Sequence, residues 1–193
     1  MKDEDVPTSA GLSSFNLLDE KTFFAELDLK QGMVMFDLAC GVGNYAVASS
    51  PYIGETGSIV AMDLWHEGIE TLAVRNGINR LSNIIPIVAD ACSGLPVKKG
   101  SFGCCLMATI AHILSQEKKL QKVLSEVRDI LCPEGILAVV EFRKIEGPPG
   151  PPLAWRLSPE ELELVVSSCG YHLIKNSEIG PYNYLSLFIN RDK

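Results

Sequence analysis

The sequence predicts an α/β protein with a doubly wound, Rossmann-like sheet, mostly parallel, whose C-terminal strand is antiparallel. Three observations predict it. Near-continuous apolar segments of strand type alternate with segments of helical periodicity between residues 33 and 142, the pattern of a parallel sheet covered on both faces. The first apolar run, Val34-Met35-Phe36-Asp37-Leu38, stops at a glycine turn, Gly41-Val42-Gly43, which opens a helix. Strand, glycine turn and helix in that order cradle an adenosyl group in open sheets. Two β-type segments, 171–178 and 184–190, are joined by only a short turn around Ile179-Gly180-Pro181, so they pair antiparallel.

Each element has its own signal. Residues 17–29 form an amphipathic helix with Asp19 as its cap, Phe23, Phe24 and Leu27 on one face, and Gly32 as its stop. Residues 33–38 are a buried strand, and the helix after Gly43 runs to Pro51. Residues 57–62 are the second strand, followed by a helix over 65–77 with Ile69, Leu72 and Ala73 on one side. Residues 83–88 and 102–107 are the third and fourth strands. Residues 116–131 give the clearest helix, with Leu120, Val123, Leu124, Val127 and Leu131 at helical spacing. Pro133-Glu134-Gly135 then turns the chain into a fifth strand, 136–142. The run Gly147-Pro148-Pro149-Gly150-Pro151-Pro152 is a stiff loop. Ser158-Pro159-Glu160-Glu161 starts a helix with Ser at the N-cap, Pro at the first position and acids in the first turn; Gly170 ends it.

Composition narrows the class. A chain of 193 residues suits one domain with a sizeable core: a loose tail over 1–14 and a single domain over 15–193. No apolar run approaches the roughly 20 residues that span a bilayer, so no membrane span is expected. The acidic start, Met1-Lys2-Asp3-Glu4-Asp5, lacks the apolar stretch of a signal peptide, which makes a cytoplasmic location the default. The net charge of −7 disfavours a large phosphate-contacting surface, so no nucleic acid partner is expected, while a small nucleotide-containing ligand remains compatible. The six cysteines form no C-x-x-C pair and match no zinc spacing, so no metal is expected. Cys104 and Cys105 invite a metalloid-binding reading, but neighbours on a strand face opposite sides and do not chelate together.

The chain resembles a class I S-adenosylmethionine-dependent methyltransferase, most closely the small ubiquinone/menaquinone-biosynthesis type. The resemblance covers about residues 17–190. Phe36-Asp37-Leu38-Ala39-Cys40-Gly41-Val42-Gly43 resembles the cofactor loop, with Ala39 where the first glycine usually stands. Val60-Ala61-Met62-Asp63 resembles the acidic end of the second strand, and Val88-Ala89-Asp90-Ala91 the segment that flanks adenine. Residues 126–135 resemble the helix and turn before the fifth strand, and Gly103 replaces an acid common at the start of the fourth.

The resemblance implies an enzyme that binds S-adenosyl-L-methionine and methylates a small-molecule substrate. Asp63, about 20 residues past the glycine turn, meets the ribose hydroxyls; Leu64 lies against the adenine ring. Asp90 accepts from the adenine amino group, and the Ala91 amide reaches a ring nitrogen. Gly41 and Gly43 let the backbone approach the methionine part, the Ala39 carbonyl accepts from its ammonium group, and Asp37 orients that group through water. His112, after the fourth strand, is the candidate base, since imidazole titrates near neutrality. An enzyme that works by orientation alone does not require it. Glu141 and Arg143 end the fifth strand, where sheet ligands bind. Arg156 is the candidate for binding an anionic substrate, and residues 147–156 with the N-terminal helix are expected to form the substrate mouth. Two other readings share the glycine turn: an NAD-dependent oxidoreductase, and an inactive cofactor-binding partner subunit. Asp90 and the terminal hairpin favour methyl transfer. The sequence carries no signal of oligomeric state.

Overall fold

A computed structural model describes residues 10–190. One sheet holds β1 (Val34–Leu38), β2 (Ser58–Asp63), β3 (Ile84–Val88), β4 (Phe102–Ala108), β5 (Leu131–Phe142), β6 (Tyr171–Glu178) and β7 (Asn183–Asn190). Their spatial order is β3-β2-β1-β4-β5-β7-β6. The first five are parallel, and β7 runs antiparallel between β5 and β6. The helices are α1 (Glu20–Leu27), α2 (Asn44–Ile53), α3 (His66–Asn79), α4 (Ala111–Gln116), α5 (Leu120–Ile130) and α6 (Pro159–Ser168). This is the doubly wound, mostly parallel architecture expected from the alternation of apolar runs and periodic segments.

The sheet separates two apolar cores. Phe36, Leu38, Met107 and Val139 face α5 and α6, whereas Met35, Ile59, Leu106 and Val140 face α1, α2 and α3. Cys105 belongs to the first set and Cys104 to the second, so the two thiols are on opposite faces, as strand alternation requires. Helix α5 buries Leu120, Val123, Leu124, Val127 and Ile130, a stripe at helical spacing.

Several boundaries move for local reasons. Helix α1 is capped by Asp19, which accepts from the Thr22 amide at 2.7 Å, and it closes at Asp28 in the left-handed conformation (φ 51°), before Gly32. The helix expected over 116–131 is α5, which starts only at Leu120 and ends at Ile130; the unanticipated α4 precedes it, and Lys118 at φ 57° turns the chain between the two. The turn at Pro133-Glu134-Gly135 lies inside β5: Glu134 is left-handed (φ 62°), and pairing with β4 jumps from Phe102↔Leu131 to Cys104↔Ile136. Part of the tail expected over 1–14 is described. Residues 10–14 are ordered against the domain, and Ser14 is buried with its Oγ 2.8 Å from the Tyr45 hydroxyl. Residues 1–9 lie outside the described residues. Among the described residues no helix is long and apolar enough to cross a membrane.

Helix α6 begins as its sequence anticipates. Ser158 accepts from the Glu161 amide at 3.2 Å, and Glu161 accepts from the Ser158 amide at 2.8 Å, a reciprocal cap with Pro159 at the first helical position. Ser158→Ala removes one side of this box and is expected to destabilise the protein by about 1 kcal/mol. Urea denaturation with an unchanged midpoint would show that the cap contributes nothing.

Candidate active site

The strand order reverses at β1. Its crossover to β2 leaves one way and β4 lies on the other side, so a crevice opens at the carboxyl ends of β1 and β4, the usual ligand site in such sheets. A cavity of about 710 Å³ occupies it. Its walls come from residues 10–14, the glycine turn, the ends of β2 and β4, the segment 89–92 after β3, the start of α4, Phe142 and the loop 149–155.

The turn after β1 is left-handed at three of five positions: Ala39 (φ 60°), Gly41 (φ 56°) and Gly43 (φ 75°). Glycine adopts this conformation freely, whereas alanine carries strain on the order of 1 kcal/mol. Ala39 therefore stands where the backbone favours glycine. The two glycines serve different ends. A Cβ at Gly41 would meet nothing within 4 Å and would project into open space, so its absence leaves room for a ligand. A Cβ at Gly43 would collide with Leu72, and Gly43 does not line the cavity. The expectation that Gly43 approaches a ligand is thus corrected: it lets α2 pack against α3.

Asp63 ties this turn to the next loop. Its Oδ2 accepts from the Gly41 amide and its Oδ1 from the Trp65 amide, each at 2.7 Å. A carboxylate has about four acceptor sites, so it retains capacity toward the cavity it lines. Leu64 is exposed beside it. Asp90 accepts from the Cys92 amide and the Ser93 hydroxyl, both at 2.8 Å, and the Cys92 amide chiefly holds it below the usual carboxylate range. Ala39, Gly41, Asp63, Leu64, Asp90, Ala91 and His112 all line the one cavity.

Asp37 lies beneath the turn and off the cavity wall. It is buried, and its Oδ2 has no partner among the described residues. Burial first, then the Asp63 charge, pushes its carboxyl up to about 7, against the pull of the Ala46 amide.

Across β1 from the ends of β2 and β3, His112 lines the cavity after β4 with its ring nearly buried. Its Nδ1 is 2.8 Å from Glu141 Oε2 and 3.0 Å from Oε1. Thr109, a β-branched residue at φ 53°, swings the chain from β4 into α4 and aims this ring at β5.

Arg156 does not meet the cavity. It is buried, and its guanidinium donates to the carbonyls of Arg143, Ile145, Gly147, Pro149 and Pro151 at 2.7–3.1 Å. Its substrate-binding role is corrected on that ground: its donors are spent inside the loop. The loop itself, through Pro149–Pro152 and Trp155, does wall the cavity. Arg143 pairs with Glu178 at 2.9 Å, outside the cavity. Sequence reading missed Tyr45, Thr109 and Phe142 on the wall. Tyr45 directly follows the glycine turn, and Thr109 precedes His112 by three residues, so proximity to known motifs was the available signal. Among the described residues no group of three or more His, Cys, Asp or Glu side chains is placed to hold a metal ion.

A reversed sheet with an acid at the end of β2, an acid after β3 and an antiparallel β7 defines the class I S-adenosylmethionine-dependent methyltransferase type. Residues 14–157 match the ubiE/COQ5 methyltransferase family, and the chain belongs to that family. Among curated relatives, it is 25% identical over 128 residues to a demethylmenaquinone methyltransferase of Lactobacillus johnsonii, covering 66% of this chain and 51% of the relative. It is 29% identical over 127 residues to the ubiquinone/menaquinone biosynthesis C-methyltransferase UbiE of Paraburkholderia phymatum, covering 64% and 49%. The chain spans about half the length of the curated relatives it matches. Among solved structures, a SAM-dependent methyltransferase from Aquifex aeolicus superposes with a TM-score of 0.84 at 25% identity, covering 96% of this chain and 94% of that one. The [4+2]-cyclase SpnF shares the fold at a TM-score of 0.74 and 15% identity, covering 89% and 79%.

Because the folded Asp37 carboxyl holds its proton up to about 7 against an ordinary value of 3.8, the folded state binds more protons than the unfolded chain in between. Stability should therefore fall as pH rises from about 4 to about 7, by up to roughly 1.4 kcal/mol per pH unit, and level off above. Urea titrations of the wild type and Asp37→Asn across that range check this; an equal slope in both would remove Asp37 as its source. Arg156→Met should destabilise the protein on the order of 3 kcal/mol, since it leaves several loop carbonyls without donors. A shift below about 0.5 kcal/mol would show that the guanidinium does not hold the loop.

Proposed function

We propose that the protein binds S-adenosyl-L-methionine in the crevice and transfers its methyl group in line to a small-molecule acceptor. The observation that carries this reading is one cavity lined by Gly41, Asp63 and Asp90 and also by His112 and Phe142, which follow or lie on β4 and β5 across β1 from β2 and β3. The residues fit the cofactor. The space beyond Gly41 admits a ligand against the backbone, and Asp63 and Asp90 keep free acceptor sites. Asp37 offers a buried, unpartnered oxygen suited to a nearby cation.

When bound, the cofactor supplies a methyl group activated on a sulfonium. The protein's contribution is placement. Asp63 holds the ribose hydroxyls, Asp90 and the Ala91 amide hold the adenine, and Leu64 covers one ring face. The Ala39 carbonyl accepts from the ammonium end, and Asp37, beneath the turn, orients that group through water. Holding the acceptor behind the methyl carbon is worth on the order of 7 to 11 kcal/mol of barrier. The segment 10–14 and the loop walled by Pro149–Pro152 narrow the mouth and limit water. The cavity is also lined by Tyr45, Ile110, Ile113, Phe142 and Trp155, which favours a small, largely apolar acceptor. We read the protein as a cytoplasmic enzyme in a single domain, with no nucleic acid partner, consistent with its net charge of −7.

Calorimetry with S-adenosylhomocysteine tests this. Wild-type protein should bind, and Asp63→Ala should weaken binding roughly 10- to 100-fold, the scale of charge-assisted hydrogen bonds. Gly41→Val should abolish binding while circular dichroism stays native. No binding by the wild type overturns the reading, and wild-type affinity in either variant removes that residue from the site.

A further inference from the structure

We infer that Glu141 and His112 form a proton-accepting dyad at the acceptor end of the cavity, with Glu141 positioning the ring and His112 taking the proton that the acceptor must lose. This rests on the methyl-transfer reading above. The two residues lie 29 positions apart, on β5 and α4, and both are buried. Glu141 receives donors on both oxygens. Oε1 accepts from the His112 backbone amide at 3.0 Å, and Oε2 accepts from the Phe142 amide at 3.2 Å. A carboxylate so supplied is an acceptor, so the ring nitrogen facing it, Nδ1, carries the hydrogen. With the hydrogen on Nδ1, the ring in its neutral form presents a lone pair at Nε2. Among the described residues Nε2 has no protein partner, and the ring borders the cavity. Phe142 packs edge-on to the ring, with centroids 6.4 Å apart, and fixes the plane that the carboxylate has set.

A surface or core-filling histidine needs none of this. A buried carboxylate left without its partner costs several kcal/mol, so the pair is maintained as a unit. The pair sits beyond β4 and on β5, across β1 from the strands β2 and β3 whose ends carry Asp63 and Asp90, which sets it against the acceptor and away from the adenosyl group.

The acceptor atom bonds to the methyl carbon while the carbon–sulfur pair passes to sulfur. The acceptor's bond to hydrogen breaks, its electron pair stays on the acceptor atom, and the proton goes to Nε2. The sulfonium charge is replaced by an imidazolium charge, which Glu141 stabilises across Nδ1 in a poorly solvated site. The proton returns to water after product leaves. The acceptor class is therefore one that must shed a proton from oxygen, nitrogen, sulfur or an acidic carbon, as opposed to a tertiary amine or a ready anion.

Two readouts test the dyad. The first is nitrogen-15 NMR of the histidine rings in the protein saturated with S-adenosylhomocysteine, with His112 assigned by its loss in His112→Asn. His112 should be a single Nδ1–H tautomer in the wild type and a tautomer mixture in Glu141→Ala. An Nε2–H ring in the wild type, or an unchanged ring in Glu141→Ala, overturns the proposal whichever acceptors turn over. The second is methyl transfer to para-substituted phenols, from un-ionised to fully ionised at the assay pH. On any un-ionised phenol that the wild type methylates, His112→Asn should lose about 10²- to 10⁴-fold in kcat. Glu141→Gln should lose at least about tenfold in kcat with KM within about threefold, and both losses should shrink to about threefold on an ionised nitrophenol. Equal losses across the phenols mean a structural role and overturn the proposal. Wild-type protein that fails to bind S-adenosylhomocysteine overturns the methyl-transfer reading, whereas binding with the wrong tautomer overturns the dyad alone.

Discussion

The reversal of strand order at β1 is the constraint from which the site follows. Parallel strands joined by right-handed crossovers place successive helices on one face until the order turns back. At that point the chain leaves β1 and β4 toward opposite faces, and nothing in the sheet covers their carboxyl ends. The crevice therefore exists before any particular side chain is chosen. Asp63 then fixes its rim: one carboxylate takes the amides of Gly41 and Trp65, so the glycine turn and the loop after β2 hold a common position. A residue offered as a ligand group is also a structural tie, and the two duties share one set of oxygens.

Much of this was legible in the sequence because the relevant signals are local. Strand runs, the stripe of α5 and the Ser158 box are each written within a dozen residues, and the pair β6–β7 within 171–190. The acids Asp63 and Asp90 were legible from their place after apolar runs. Helix α4 was not, since six residues hold fewer than two turns and show no periodicity. The break at Lys118 was equally hidden: lysine carries no mark of a left-handed backbone. Gly41 and Gly43 look alike in the sequence. Only the direction of the missing Cβ separates them, toward open space in one and toward Leu72 in the other.

The long-range partnerships were the harder part. Arg156 follows a Gly/Pro run and reads as a free cation beside a mouth, yet five carbonyls of Arg143 to Pro151 converge on it. Those acceptors are backbone atoms, which no sequence displays. His112 and Glu141 were each visible at a strand end, but their meeting depends on the backbone of Thr109 and on the pairing of β4 with β5. Burial decides how such groups behave. The same guanidinium in water would be available to a substrate, whereas here its donors are already engaged.

The convergence on Arg156 also bears on how this wall of the cavity can change over generations. A loop whose carbonyls must all reach one planar fork has its length set by the span of that fork. An inserted or deleted residue would carry several carbonyls out of reach together, so indels there act as all-or-none events. Side-chain replacements at Pro149, Pro151 or Trp155 leave the ring of carbonyls intact. Lineages altering acceptor preference through this loop are therefore expected to vary its residues while conserving its residue count.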